Sequence, residues 1–219
     1  MLDNHNIKYP STVLLFIAVM LSLVLSSCAT EGTAPTSGPS TTTKPVISTQ
    51  PSNWPSATVA VFSRGVQSLG NDNESARVSF AEALELSPQM EPAYYNLAKL
   101  DFDEKNYEAV DSFQALIQKN NVSSARLNNL LGTSKRIQND FDSAKKLYLA
   151  AILMNPEYTP AILNLAILYD VYQGEIAEAE KYYLLYRKQL EQQGKQDNRI
   201  NNWITDIQRR LSAKKGGGR

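Results

Sequence analysis

The sequence predicts an all-α fold: a solenoid of about four stacked helix pairs closed by a single capping helix. Three observations predict it. A large–small pair, Leu97-Ala98, Leu131-Gly132 and Leu165-Ala166, recurs at intervals of 34 residues. Pro88 and Pro156 lie 68 residues apart, twice that interval. Past residue 193, one amphipathic stretch follows with no second helix to pair with.

Residues 1–27 stand apart from that pattern. A polar start carrying Lys8 and Asp3 leads into Val13 to Leu25, VLLFIAVMLSLVL. Thirteen residues, broken only by Ser22, fall short of the roughly 20 apolar positions that a relaxed bilayer span requires, but suit the apolar core of a secretory signal. Leu25-Ser26-Ser27-Cys28 follows directly. It resembles the lipobox of bacterial lipoproteins, which implies cleavage before Cys28 and covalent lipid on its sulfur and new amine. One acyl chain attaches only marginally, whereas several hold a protein almost permanently. Ala29 follows the cysteine. In enterobacterial sorting an Asp there retains a lipoprotein at the inner membrane, so the resemblance implies the outer membrane, facing the periplasm.

Residues 28–56 read as a disordered spacer. After Cys28 the run ATEGTAPTSGPSTTTKPVISTQPSNWPS is rich in Thr, Ser, Pro and Gly, and cannot bury enough apolar surface to offset its ordering entropy. As a flexible coil its ends lie about 30 Å apart. Trp54, just ahead of the helical pattern, is placed to pack on the first helix.

Residues 57–193 hold four helix pairs. The unit from about Ala125 to Pro156 is the most regular: Leu131-Gly132, a turn at Asp140-Phe141-Asp142, then Ala144, Tyr148 and Ala151, closing at Asn155-Pro156. Unit one offers Gly65, Ala76, Phe80, Ala83 and Pro88. Unit two offers Tyr94, Leu97, Ala98, Ala109 and Phe113, with Leu116 in place of a small residue and Asn121 in place of Pro. Unit four offers Leu165, Ala166, Tyr169, Ala179 and Tyr183. Units one and four read as carrying one extra residue at the turn between their helices, and unit two as one short. Small residues let the paired backbones approach, the aromatic fills the space between them, and Pro stops the second helix. A single pair cannot bury its own apolar face, so neighbours must stack.

Residues 197–213, DNRINNWITDIQRRLSA, place Ile200, Trp203, Ile204, Ile207 and Leu211 at helical spacing, opposite a polar face. Such a helix caps the open end of a repeat array. Residues 214–219, KKGGGR, read as a flexible tail.

The large–small pair, the small–aromatic–small second helix and the closing Pro resemble the tetratricopeptide repeat. The resemblance covers residues 57–193. It implies a right-handed superhelix in which the first helix of each pair, helix A, lines a concave groove that binds peptides or helices of other proteins.

Composition argues against catalysis. The one histidine, His5, lies in the signal segment, and Cys28 is the sole cysteine. The mature chain would therefore lack the groups for histidine relays, cysteine nucleophiles and most zinc sites, and no Gly-rich phosphate loop is present. No enzyme activity, metal, small-molecule substrate or cofactor is expected, apart from the lipid on Cys28. The 22 basic and 22 acidic residues each fall to 21 on cleavage, a neutral balance without the electrostatic footprint of a nucleic-acid binder.

Carried over by register, the groove residues are Tyr95, Asn96 and Lys99 in unit two, Arg126, Asn129, Thr133 and Arg136 in unit three, and Asn164 and Asp170 in unit four. Asn96 and Asn164 occupy equivalent places in Asn-Leu-Ala triplets, where an amide offers both donor and acceptor to a peptide backbone. Lys99, Arg126 and Arg136 offer cations to a carboxylate, a partial likeness to the carboxylate clamp of chaperone-binding repeats that Leu130 interrupts. Leu163, Ile167 and Val171 lend apolar surface to the same side, so the groove admits an extended peptide or an amphipathic helix. The same residue types also occur on ordinary solvated helix faces.

The resulting expectation is a lipid-anchored adaptor that binds other envelope proteins. Loose likenesses exist to the pilotin-like repeat lipoproteins of type IV pilus systems and to repeat proteins of TonB–ExbB–ExbD-type or gliding machinery. A docking factor for peptidoglycan hydrolases or synthases is the alternative.

Overall fold

A computed structural model describes residues 53–216 of the chain. The signal segment, Cys28, most of the spacer and residues 217–219 lie outside the described residues. Among the described residues there are nine α-helices and no strand. They are α1 (Ser56–Ser68), α2 (Asn73–Leu86), α3 (Glu91–Asp103), α4 (Tyr107–Lys119), α5 (Ala125–Ile137), α6 (Phe141–Met154), α7 (Thr159–Ile167), α8 (Ile176–Gln192) and α9 (Ile200–Gly216). Each odd helix from α1 to α7 packs antiparallel to the even helix after it, and α9 covers the fourth pair. The fold is a tetratricopeptide-type helical superhelix.

Local chemistry sets the boundaries. Asp72, Asn106 and Asp140 each cap a second helix by accepting a backbone N–H three residues on, and Ser124 caps α5 in the same way. Such caps are worth about 1 kcal/mol each. Pro92 and Pro160 sit in the first turns of α3 and α7, where the missing N–H costs nothing. The turn inside every pair contains one left-handed residue: Gly70, Lys105, Asn139 and Gly174. Lys105, at φ 61°, holds that conformation against a penalty of about 1–2 kcal/mol, which the packing of α3 and α4 must offset.

The recurring residues form the interior. Phe80, Tyr148, Ala76, Ala83, Ala144 and Ala151 are fully buried. At Gly132 an added Cβ would lie 2.8 Å from Cε1 of Tyr148, and at Gly65 2.7 Å from Cε1 of Phe80. The small residue and the aromatic thus share one volume. Trp54 packs against Val61, Phe62 and their neighbours at the open start of the array. At the other end Ile200, Ile204 and Ile207 join the cluster around Tyr183 and Leu190.

Two details differ from the sequence reading. In α4 the buried set is Ala109, Val110 and Ile117, with Val110 the most deeply buried, while Leu116 stays 39% exposed. Val110 lies 34 residues before Ala144 and Ile117 34 before Ala151, so unit two keeps the full period and is not one short. Gln114 then stands where Tyr148 stands in unit three. With no aromatic at that place the true register was masked, and Phe113 drew the alignment back by one.

The additional residue of unit four also sits elsewhere than expected. Unit one does have a longer turn, Leu69 to Asp72, but in unit four only Gly174 and Glu175 separate the helices. The first helix instead continues from α7 into a π-helical stretch, Leu168–Gln173. That winding takes an extra residue into the helix itself. Finally, α9 runs to Gly216, past Ala213, where the sequence placed the tail; Lys214 favours helix and its cation suits a helix C-terminus.

Candidate functional site

The first helices of units two to four, α3, α5 and α7 with its π-helical extension, bring most of the sequence-selected residues along one face. At its floor, Asn164 Nδ2 donates to Asn129 Oδ1 at 2.8 Å and lies 3.4 Å from Thr133 Oγ1. Thr133 in turn lies 3.3 Å from the hydroxyl of buried Tyr148. This ladder joins two consecutive A helices and ties their shared face to the core. Asn96 departs from its equivalent: it is only 5% exposed, set into the packing of α3 rather than beside Asn164.

The three expected cations differ in what they hold. Arg126 grips Glu91 side-on, Nε to Oε1 at 3.0 Å and a terminal nitrogen to Oε2 at 2.5 Å. Ser124 Oγ donates to the same carboxylate, and the guanidinium lies 4.7 Å from the Tyr95 ring centroid. Lys99 pairs with Asp103, one helical turn on. Arg126 is thus committed to a half-buried carboxylate, whereas Lys99 holds Asp103 in an exposed pair of the kind worth little in water.

Arg136 is different. A terminal nitrogen donates to the Tyr172 hydroxyl at 2.6 Å, and the guanidinium lies 5.2 Å from that ring's centroid. Among the described residues it forms no ion pair with a carboxylate, and its buried Nε makes no hydrogen bond. Asp170, also expected in the groove, is taken by the capping helix through Arg210 at 2.5 Å and by the Tyr183 hydroxyl at 3.2 Å. Val171, beside it on the π-helical stretch, is 61% exposed.

The tyrosines that flank these residues are firm hydrogen-bond donors. Burial, reinforced by Tyr95, pushes the Tyr158 phenol up to about 12. Burial and the carboxylate of Asp170 likewise push Tyr183 up. Both phenols therefore stay protonated near neutral pH.

Glu91, Tyr172 and Arg210 were not selected from sequence. A usable signal existed: Glu91–Arg126 and Asn129–Asn164 are both 35 residues apart. Neighbouring A helices thus meet at one repeat plus one residue, a spacing that points from Arg126 back to Glu91.

Residues 125–158 match the tetratricopeptide repeat family. That span is unit three, helix α5 to the end of its closing turn. Among solved structures, one described as a functional characterization of Pseudomonas aeruginosa pilF is 20% identical, covering 72% of this chain and 70% of its own, with a TM-score of 0.59. YrrB, described as a TPR protein with an unusual peptide-binding site, is 18% identical over 72% of this chain and 92% of its own, with a TM-score of 0.53. A thermophilic TPR protein of Thermus thermophilus is 17% identical over 70% and 82%, with a TM-score of 0.50. At these identities the likeness is one of fold. No curated protein matches the chain.

Proposed function

We propose that the protein is a non-enzymatic adaptor, lipid-anchored through Cys28 in a bacterial envelope, that binds segments of partner proteins along the face of α3, α5 and α7. The observation that carries the reading is the Asn129–Asn164–Thr133 ladder. It spends one donor of Asn164 on one acceptor of Asn129, which leaves an amide donor on Asn129 and an amide oxygen on Asn164 to pair with a peptide backbone. Extended peptides bind through such main-chain bonds, with side-chain pockets adding specificity. The likeness to YrrB supports a peptide ligand. Anchoring rests on the sequence around Cys28, and an outer-membrane assembly or transport machine of the type IV pilus, TonB-like or gliding kind is the setting that best suits a tethered array.

Affinity capture from detergent-solubilised envelopes tests this, comparing wild type with Asn129→Ala/Asn164→Ala. Removing both members of a bonded pair leaves few buried polar groups unsatisfied, so the fold should persist. One partner set recovered with wild type and lost with the variant supports the groove. Retention of every partner rejects it. In the same cells Cys28→Ala should move the protein from the membrane to the soluble fraction; unchanged membrane association rejects the anchor.

A further inference from the structure

Resting on that groove reading, we propose that Arg136 and the π-helical stretch after α7 form the specificity point of the groove. It takes an acidic side chain of the bound segment, set beside an apolar residue. Three features meet there. Arg136 lacks a carboxylate partner among the described residues, whereas Arg126, ten residues earlier on the same helix, holds one in a side-on fork. Its present partners are neutral phenols: it donates to Tyr172, and the buried Tyr148 hydroxyl also faces it. Tyr172 lies against it, and Ile137 and Val171, the sequence neighbours of Arg136 and Tyr172, are exposed apolar side chains.

The energetics favour exchange. Hydrogen bonds to an ionised acceptor are roughly twice as strong as neutral ones. A carboxylate arriving at the terminal nitrogens therefore displaces the Tyr172 hydroxyl, while the ring keeps its place against the guanidinium. The displaced residue belongs to the π-helical winding, the one such turn among the described residues and a kind of turn frequent at functional sites. Exposed Val171 and Ile137 then cover the apolar neighbour of the acid. Arg126 cannot play this part, because an incoming acid would have to displace Glu91, which the Ser124 hydroxyl also holds in place.

The test uses the full-length chain in detergent micelles. Random dodecapeptides displayed on phage are selected on it, and the enriched sequences are synthesised with free and with amidated C-termini. The expected result is a shared Asp or Glu beside an aliphatic or aromatic residue, binding equally in both forms. Changing that acid to its amide should weaken binding about tenfold, the loss of one charge-assisted hydrogen bond. On Arg136→Gln the acid and amide peptides should bind alike; Arg136→Lys should restore part of the difference, and Tyr172→Phe should bind at least as tightly as wild type. Three results overturn the proposal: the acid preference surviving Arg136→Gln, binding that requires the free terminal carboxylate, or enriched peptides without an acid. If those peptides still lose affinity on Asn129→Ala/Asn164→Ala, the groove reading stands while this one falls. An absence of any enriched peptide overturns both.

Discussion

Replacing Gly132 by Ala tests the packing rule on which every pair depends. In an exposed helix the change stabilises by about 1 kcal/mol, because Gly is the poorer helix former. Here the new methyl would sit 2.8 and 2.9 Å from two ring carbons of Tyr148 and 3.3 Å from Cβ of Leu147. Tyr148 is fully buried and its hydroxyl meets Thr133, so the ring cannot swing aside without breaking that contact. Overpacking of this kind costs about 1–3 kcal/mol; with the ring pinned the upper half applies, for a net loss of about 1–2 kcal/mol after the propensity gain. Urea unfolding followed by far-UV circular dichroism measures it. In a Tyr148→Leu background, with the ring gone, Gly132→Ala should become neutral or stabilising. A gain in stability in the wild-type background would refute the shared-volume argument.

Four further outcomes follow from the same contacts. Ile117→Ala should cost about 2–4 kcal/mol and Leu116→Ala under about 1, since only the first is buried; equal losses in urea unfolding would contradict the corrected register of α4. Glu91→Gln should cost about 1–3 kcal/mol, because it leaves the half-buried Arg126 without its counter-charge, and a double-mutant cycle with Arg126→Met should recover most of it. Hydrogen bonds from Ser75 and Ser143 hold the carboxyls of Asp72 and Asp140 below their ordinary value of 3.8. Because the folded values are depressed, this stabilisation is complete above the unfolded value and disappears as pH falls through the folded ones; acid titration of Asp72→Asn/Asp140→Asn should show a shallower loss below about pH 4 than wild type. Deleting residues 200–219 should expose the cluster around Tyr183 and Leu190, and analytical ultracentrifugation should find the shortened chain aggregated.

Much of this architecture was legible because the repeat writes its packing into residue type. Gly132, Ala144, Tyr148 and Ala151 announce a close helix pair, and Ile200, Trp203, Ile204 and Ile207 announce a cap. Unit two was harder to read, since burial of Val110 and Ile117 is satisfied by any aliphatic and Gln114 removes the aromatic marker. The π-helical stretch left no mark at all: an extra residue in the sequence does not say whether a turn lengthens or a helix rewinds. Position along the helix placed Asn129, Asn164 and Arg136 on the A-helix face. It did not identify which cations were already spent. For Arg126 that depends on Glu91, one repeat away, just as the pairing of Asp170 depends on Arg210 of the capping helix, and a helix-by-helix reading does not consider such partners.

Site-specific photo-crosslinking in intact envelopes addresses the proposed role most directly. A benzoylphenylalanine at Val171, on the A-helix face, would be compared with one at Leu153, which is 84% exposed on the second helix of unit three. The groove reading predicts a discrete crosslinked partner from residue 171 and none from residue 153. A partner captured from residue 153 alone would contradict it and move the interaction to the opposite face of the array.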